Sequence, residues 1–197
     1  MTVKYRRELD AISAYVPGKP IDAVKRELGL ERVIKLASNE NPFGFSDSVR
    51  AAVMQALDEV NLYPDGNATL LKEKIAEKYG IKPDMVLPTC GSDEMVDLVA
   101  KTFIDPGSEV VMAEVTFPRY LSTSQMMGAN LKIVPMKNMA YDLEGFRRAI
   151  TPQTRLVWLC NPNNPTGSFF TRDELIRLLE SISPETLVVY DEAYFEF

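Results

Sequence analysis

Apolar positions repeat with two periods along this chain, and the change of period divides it. Val49, Ala52, Val53, Ala56, Leu57 and Val60 recur at helical spacing, as do Leu70, Leu71, Ile75 and Tyr79. These predict two helices with those residues on their inner faces, separated by the turn signal Pro64-Asp65-Gly66, with Gly80 as a stop. Before them the first 35 or so residues read as irregular, with Pro17-Gly18-Lys19-Pro20 breaking any long helix. After them short apolar runs alternate with helical stretches. Strands are predicted over Val86–Cys90, Val110–Ala113, Leu131–Val134, Leu156–Cys160 and Leu187–Tyr190. Helices are predicted over Ser92–Ile104, Tyr120–Gly128, Leu143–Ile150 and from the capping box Thr171-Arg172-Asp173-Glu174 onward, where Leu175, Ile176, Leu178 and Leu179 turn inward.

The strand runs are continuously apolar rather than alternating, which suits strands covered on both sides. The expected fold is therefore α/β, a mostly parallel sheet with helices on both faces. In such sheets ligands sit at the carboxyl ends of the strands. The last predicted strand lies a few residues before Phe197, so further strands are expected beyond it.

Composition narrows the chemistry. There is no histidine, so Ser-His-Asp and Cys-His catalysis and histidine metal sites are excluded within these 197 residues. Cys90 and Cys160 lie far apart, each closing an apolar run, and both read as buried, inert thiols. The net charge of -6, with no basic cluster, gives no footing for nucleic acid. No apolar run approaches the roughly 20 residues of a membrane span. The charged start, Met1–Asp10, lacks the apolar core of a signal peptide, so a cytoplasmic location is expected.

Unusual residues gather at three predicted strand ends. Cys90-Gly91-Ser92-Asp93-Glu94 is a glycine turn feeding a helix N-terminus, whose free N–H groups and positive dipole end suit a phosphate; alternatively Ser92 or Asp93 merely caps that helix. Asn161-Pro162-Asn163-Asn164-Pro165-Thr166-Gly167 is a rigid loop that pins its asparagines, or a plain structural turn. Asp191-Glu192-Ala193-Tyr194 puts an acid at the end of an apolar strand, which demands a cation or strong donor, unless Asp191 faces water or pairs with an arginine. A phosphate at one end and a protonated ring nitrogen at the other would satisfy all three. No GxGxxG follows any strand, which disfavours a dinucleotide-binding domain.

The Asn161–Gly167 loop followed by Val188-Val189-Tyr190-Asp191-Glu192-Ala193-Tyr194 resembles pyridoxal-phosphate (PLP) aminotransferases of the aspartate-aminotransferase fold type. Leu36-Ala37-Ser38-Asn39-Glu40-Asn41-Pro42-Phe43-Gly44, Tyr63-Pro64-Asp65-Gly66 and Gly91-Ser92-Asp93-Glu94 are similar to the histidinol-phosphate aminotransferase group. The resemblance covers nearly the whole chain in order. It divides the chain into an N-terminal arm, 1–40, and the first part of the PLP-binding large domain, 41–197, with the small C-terminal domain absent.

It also implies roles. Asp191 is expected to meet the pyridine nitrogen and keep it protonated, the condition for the ring to act as an electron sink. Tyr194 and Asn164 would bond the ring's phenolic oxygen, and the Ser92 and Asp93 amides would hold the phosphate. Tyr120 would stack on the ring face; read without the resemblance, it is a helix-core aromatic. Tyr63 would reach the cofactor of a second subunit, since the family builds its sites across a homodimer. Tyr15 and Asn41 match positions near the substrate. The implied partners are a small amino donor and a 2-oxo acid acceptor. The lysine that carries the cofactor is expected beyond the Asp-x-Ala-Tyr strand. All eleven lysines here precede Asp191. An aromatic amino-acid aminotransferase, a threonine-phosphate decarboxylase and a non-catalytic module that kept the cradle share these motifs.

Overall fold

The alternation of apolar runs and amphipathic stretches produces a four-stranded, fully parallel sheet with helices on both faces. The computed structural model describes residues 3–14 and 16–196. They form two compact units, Met1–Ser13 with Thr89–Phe197, and Ala14–Pro88. The first carries the sheet. Its strands are β1 (Glu109–Ala113), β2 (Asn130–Val134), β3 (Thr154–Cys160) and β4 (Leu187–Asp191), in the order β2-β1-β3-β4. Register pairs Val111 with Val157 across β1 and β3, and Cys160 with Asp191 across β3 and β4.

Because side chains alternate across a strand, the apolar run of β3 feeds two cores at once. Leu156, Trp158 and Cys160 join Val110, Met112 and Tyr120 on one face. Val157 and Leu159 join Val111, Ala113, Phe146 and Leu178 on the other. Helices α4 (Gly91–Phe103) and α5 (Pro118–Met126) supply the first core, through Val96, Ala100 and Tyr120. Helices α6 (Leu143–Ala149) and α7 (Arg172–Leu179) supply the second. The capping box of α7 forms as expected: Thr171 accepts from the Glu174 amide, and the Glu174 carboxylate accepts from the Thr171 amide. β4 is half-buried along its length rather than buried.

The chain after β1 enters α5 on one face, and the chain after β3 leads to α7 on the other. The carboxyl ends of β1 and β3 therefore diverge. That is the topological switch point at which a crevice opens in a parallel sheet.

The second unit holds α1 (Ile21–Leu28), α2 (Asp47–Ala56) and α3 (Thr69–Tyr79). Ser46 caps α2 by accepting from the Val49 amide, and Gly80 ends α3 at φ 65°. Asp65 starts α3, its carboxylate accepting from the Asn67 and Thr69 amides at 2.9 and 2.8 Å.

Four expectations need correction. Val86–Cys90 is extended around Val86 but joins no sheet; Pro88 has no N–H to give to a ladder. The first 35 or so residues are not all irregular: Pro20, at φ -61°, is the N-cap of the short helix α1, and Gly29 closes it at φ 65°. The apolar stripes of α2 and α3 are largely exposed, including Val49, Val53 and Leu70, and only Ala76 of these two helices is buried. Periodicity there marks the helices correctly, but no sheet lies within that unit to receive both stripes. Cys160 is buried as expected, whereas Cys90 is exposed.

Phe146→Ala should destabilise the sheet unit by about 3–5 kcal/mol, since its ring is fully enclosed, whereas Val53→Ala should change stability by less than about 0.5 kcal/mol; denaturant unfolding distinguishes them. A second prediction concerns pH. Hydrogen bonds from Thr69 and Asn67 lower the Asp65 pKa from 3.8 to about 2. A lowered carboxylate pKa stabilises the fold above the ordinary value. That contribution is lost as pH falls from 3.8 toward 2. Amide exchange over 69–79 should rise across that window, and Asp65→Asn should abolish the dependence.

Candidate active site at the strand ends

The two loops that diverge at the switch point are tied together by polar side chains. After β3, Asn161 closes the loop on itself: its side-chain amide donates to the Phe170 carbonyl, and its side-chain oxygen accepts from the Phe170 amide. Asn163 reaches across the crevice, donating to the Val115 carbonyl after β1 and to Thr166 Oγ1. The Asn161–Pro162 and Asn164–Pro165 peptide bonds are both cis. Tyr141 Oη accepts from the Cys160 amide at 3.1 Å and lies 3.2 Å from Thr116 Oγ1 and 3.4 Å from Asn163 Oδ1. Burial pushes that phenol up to about 12, so it remains protonated and serves as both donor and acceptor. With Asn161 and Asn163 committed to the scaffold, Asn164 is left half-buried, its side-chain amide without a hydrogen bond among the described residues.

Asp191 ends β4 beside Cys160 of β3. Its Oδ1 accepts from the Ala193 amide at 3.0 Å and its Oδ2 from the Tyr120 hydroxyl at 2.5 Å. No arginine or lysine pairs with it among the described residues. Burial raises the Cys160 thiol, which stays neutral and donates to the Pro162 carbonyl. Tyr194 is half-buried in the turn after Asp191.

On the same face, α4 begins at Gly91, whose φ is 74° and whose α-carbon faces open space. The first-turn amides of Ser92 and Asp93 have no partner within the helix. Arg119, in the first turn of α5, stands beside them. It donates to Asp97 Oδ1 at 2.7 Å, while Asp93 Oδ2 lies 3.7 Å from its Nε. That Nε is buried and makes no hydrogen bond among the described residues. Free amides, a helix dipole and a guanidinium edge with a spare donor fit an anionic group such as a phosphate. A free asparagine amide and a carboxylate lacking a cation fit the polar edge of a heteroaromatic ring. The donor set therefore suits PLP.

Tyr120 does not present a ring face. It is fully buried, stacked on Trp158 with centroids 4.8 Å apart and planes 6° apart. The helix-core alternative is the one found, and the stacking role expected of Tyr120 is corrected. Beside it Phe117 is half-buried, edge-on to Tyr120 at 5.5 Å. Its place at the end of the loop after β1, just before Pro118 opens α5, is the sequence signal that could have found it. The other expected residues lie in the second unit. Tyr63 is fully exposed on the segment before Pro64. Asn41 spends its side chain on its own turn, accepting from the Phe43 amide and donating to the Gly44 carbonyl. Tyr15 lies outside the described residues.

Residues 31–197 match the model of the family described as aminotransferase class I and II. The chain belongs to that family. It is 49% identical over 193 residues to a histidinol-phosphate aminotransferase of Caldicellulosiruptor saccharolyticus, covering 98% of this chain and 54% of the relative. It is 50% identical over 192 residues to histidinol-phosphate aminotransferase 2 of Carboxydothermus hydrogenoformans, covering 98% and 53%. The chain thus spans about half the length of the curated relatives it matches. Among solved structures it superposes on histidinol-phosphate aminotransferase from Sinorhizobium meliloti in complex with pyridoxal-5'-phosphate, with a TM-score of 0.87, 26% identity, all of this chain covered and 52% of that one. No helix among the described residues is long and apolar enough to cross a membrane.

A cleft of about 350 Å³ opens between α6 and α7, but its acids are already engaged: Asp142 with Lys137 and Arg148, Glu144 with Arg147, Glu174 in the capping box. The strand-end crevice, with its free donors, is the better site. Tyr141→Phe should cost about 1–3 kcal/mol, because the Cys160 amide then loses its acceptor. Unfolding of the variant measures that loss. A change below about 0.5 kcal/mol would mean that the loops hold without the tyrosine.

Proposed function

We propose that the whole protein is a PLP-dependent aminotransferase that moves an amino group between histidinol phosphate and 2-oxoglutarate. The observation that carries this reading is Asp191. It is a carboxylate at the end of a parallel strand, held by a donor on each oxygen and lacking a cation partner among the described residues. The names of the relatives sharing about half their length with this chain support the choice of substrate. A cytoplasmic homodimer is part of the same reading.

When bound, PLP supplies the electron sink for the pair left on a substrate α-carbon. The chain's own groups make that site ready. Asp191 offers a fixed negative charge to a ring N–H and keeps its proton in place. Asn164 and Tyr194 orient the ring through its phenolic oxygen. The Ser92 and Asp93 amides grip the phosphate at the positive end of α4, and Arg119 adds charge beside them. Phe117 is the aromatic positioned to cover a ring face, in place of Tyr120. Tyr63, exposed and directly before a Pro-Asp-Gly turn, suits a contact with a second subunit's phosphate. Tyr15 and Asn41 remain candidates near the substrate, although Asn41 would have to leave its turn contacts.

In the whole protein Asp191→Asn should keep the fold and lower kcat by at least ten- to a hundredfold, because a charge-assisted bond contributes about 1.5–3 kcal/mol and is needed most as charge develops. Near-normal turnover would give Asp191 another role. Among amino donors, histidinol phosphate should exceed phenylalanine in kcat/KM, its phosphate giving a charged handle. If phenylalanine wins by tenfold, about 1.4 kcal/mol, an aromatic aminotransferase replaces this assignment. Evolution of carbon dioxide from threonine phosphate would replace it with a decarboxylase.

A further inference from the structure

We propose that Tyr120 is a positioning residue that fixes the Asp191 carboxylate for its partner on the ligand, and that Trp158 and Ser124 are the clamp that fixes Tyr120. The proposal rests on the reading that Asp191 meets the cofactor's ring nitrogen.

Tyr120 lies in the first turn of α5 and is fully enclosed. One ring face lies flat on Trp158, and Phe117 meets the ring at 78°. A ring held by a stack and an edge cannot tilt without losing both contacts. Its hydroxyl therefore has one direction, toward Asp191 Oδ2. Trp158 is held in turn. It is fully buried in β3, and its Nε1–H donates to Ser124 Oγ at 3.2 Å. Ser124 follows Tyr120 by four residues, one turn along the same face of α5. The helix thus grips Trp158 at two points, by stacking from Tyr120 and by the hydrogen bond to Ser124.

The direction of the bond is settled by burial, which together with the neighbouring carboxylate drives the Tyr120 phenol far above its ordinary range. Tyr120 is a permanent donor and Asp191 its acceptor. A phenylalanine would fill the same space without a buried hydroxyl to satisfy, so packing alone gives no reason for the oxygen. The oxygen is accounted for by what it holds. The second carboxylate oxygen accepts from the Ala193 amide. Two donors, one from the strand's own turn and one from helix α5 packed on the sheet, fix the plane of the carboxylate and leave its remaining lone pairs for a ligand. A charge set in place before binding needs no reorganisation when the ligand arrives.

Arg119, the residue before it, turns the other way, to Asp97 of α4, and Thr123 bonds the same carboxylate. One turn of α5 therefore braces the second turn of α4, just beyond where a phosphate would sit, and the acid of β4, where a ring nitrogen would sit. Tyr120 is the part of that brace that acts on the nitrogen end alone.

The test compares two ligands on the whole protein freed of cofactor: pyridoxamine 5'-phosphate, which binds without a covalent bond, and its 1-deaza analogue, in which C–H replaces the ring nitrogen. Equilibrium dialysis gives both dissociation constants. The wild-type protein should prefer the nitrogen-bearing ligand, and Asp191→Asn should abolish the preference. Tyr120→Phe should reduce the preference about tenfold while leaving affinity for the deaza analogue within about threefold, since the phosphate and ring-face contacts are untouched. If Tyr120→Phe keeps the full preference, or if both affinities fall together, Tyr120 is only a core residue and the proposal is overturned while the reading of Asp191 stands. If the wild-type protein shows no preference, Asp191 does not meet the ring nitrogen, and both fall. A second readout does not depend on the folding of Tyr120→Phe. The Tyr120 hydroxyl proton in the wild-type protein should give a slowly exchanging, downfield NMR signal that moves upfield in Asp191→Asn. A signal that is absent, or unmoved in Asp191→Asn, would also overturn the proposal.

Discussion

A carboxylate at the end of a partly buried strand must be answered by donors or by a cation, because removing a charge from water costs several kcal/mol. In this protein the answer to Asp191 is a tyrosine hydroxyl and a backbone amide, with no cation among the described residues. Much of the neighbouring structure serves that arrangement. Trp158 could not be replaced by a small residue without freeing Tyr120, and Ser124 is placed where the indole N–H needs an acceptor. The result is an acid held in one orientation with lone pairs to spare.

The parallel sheet explains why that acid has useful neighbours. With the order β2-β1-β3-β4, the chain leaves β1 toward one face and β3 toward the other. The crevice between them is walled by backbone whose hydrogen bonds cannot be completed within the sheet. Tyr141 and Asn163 complete them across the gap. Among the described residues, the Asn164 side-chain amide and the buried Nε of Arg119 are left without a hydrogen bond. A single arginine-tyrosine pair at the start of α5 connects α4, through Asp97, to Asp191 at the end of β4.

What the sequence makes legible follows the physics of each signal. The doubly buried strands are legible because a continuous apolar run of strand length is hard to place anywhere but inside a covered sheet. The α7 cap is legible because its two reciprocal hydrogen bonds need Thr and Glu three apart. The Asn161–Gly167 loop and Asp191 stand out because polar or rigid residues at strand ends demand a reason. Val86–Cys90 misleads because an apolar run signals burial or extension without naming a ladder partner, and Pro88 argues against one. The helix α1 is hidden because its prolines read as breakers, whereas Pro20 sits at a start, where its fixed φ and missing N–H do no harm. Tyr120 and Phe117 lie three residues apart at the start of α5, and periodicity cannot say which is fully enclosed and which stays half-buried. Only the position of Trp158, a long-range partner, decides it.

A crystal structure of the whole protein with PLP bound tests most directly the proposal that Asp191 and the α4 amides hold opposite ends of one ligand. The ring nitrogen should lie within about 2.7–3.2 Å of an Asp191 carboxylate oxygen, with the Tyr120 hydroxyl still on that carboxylate and the phosphate on the Ser92 and Asp93 amides. A cofactor whose ring nitrogen faces any other group, or whose phosphate lies away from the start of α4, would contradict it.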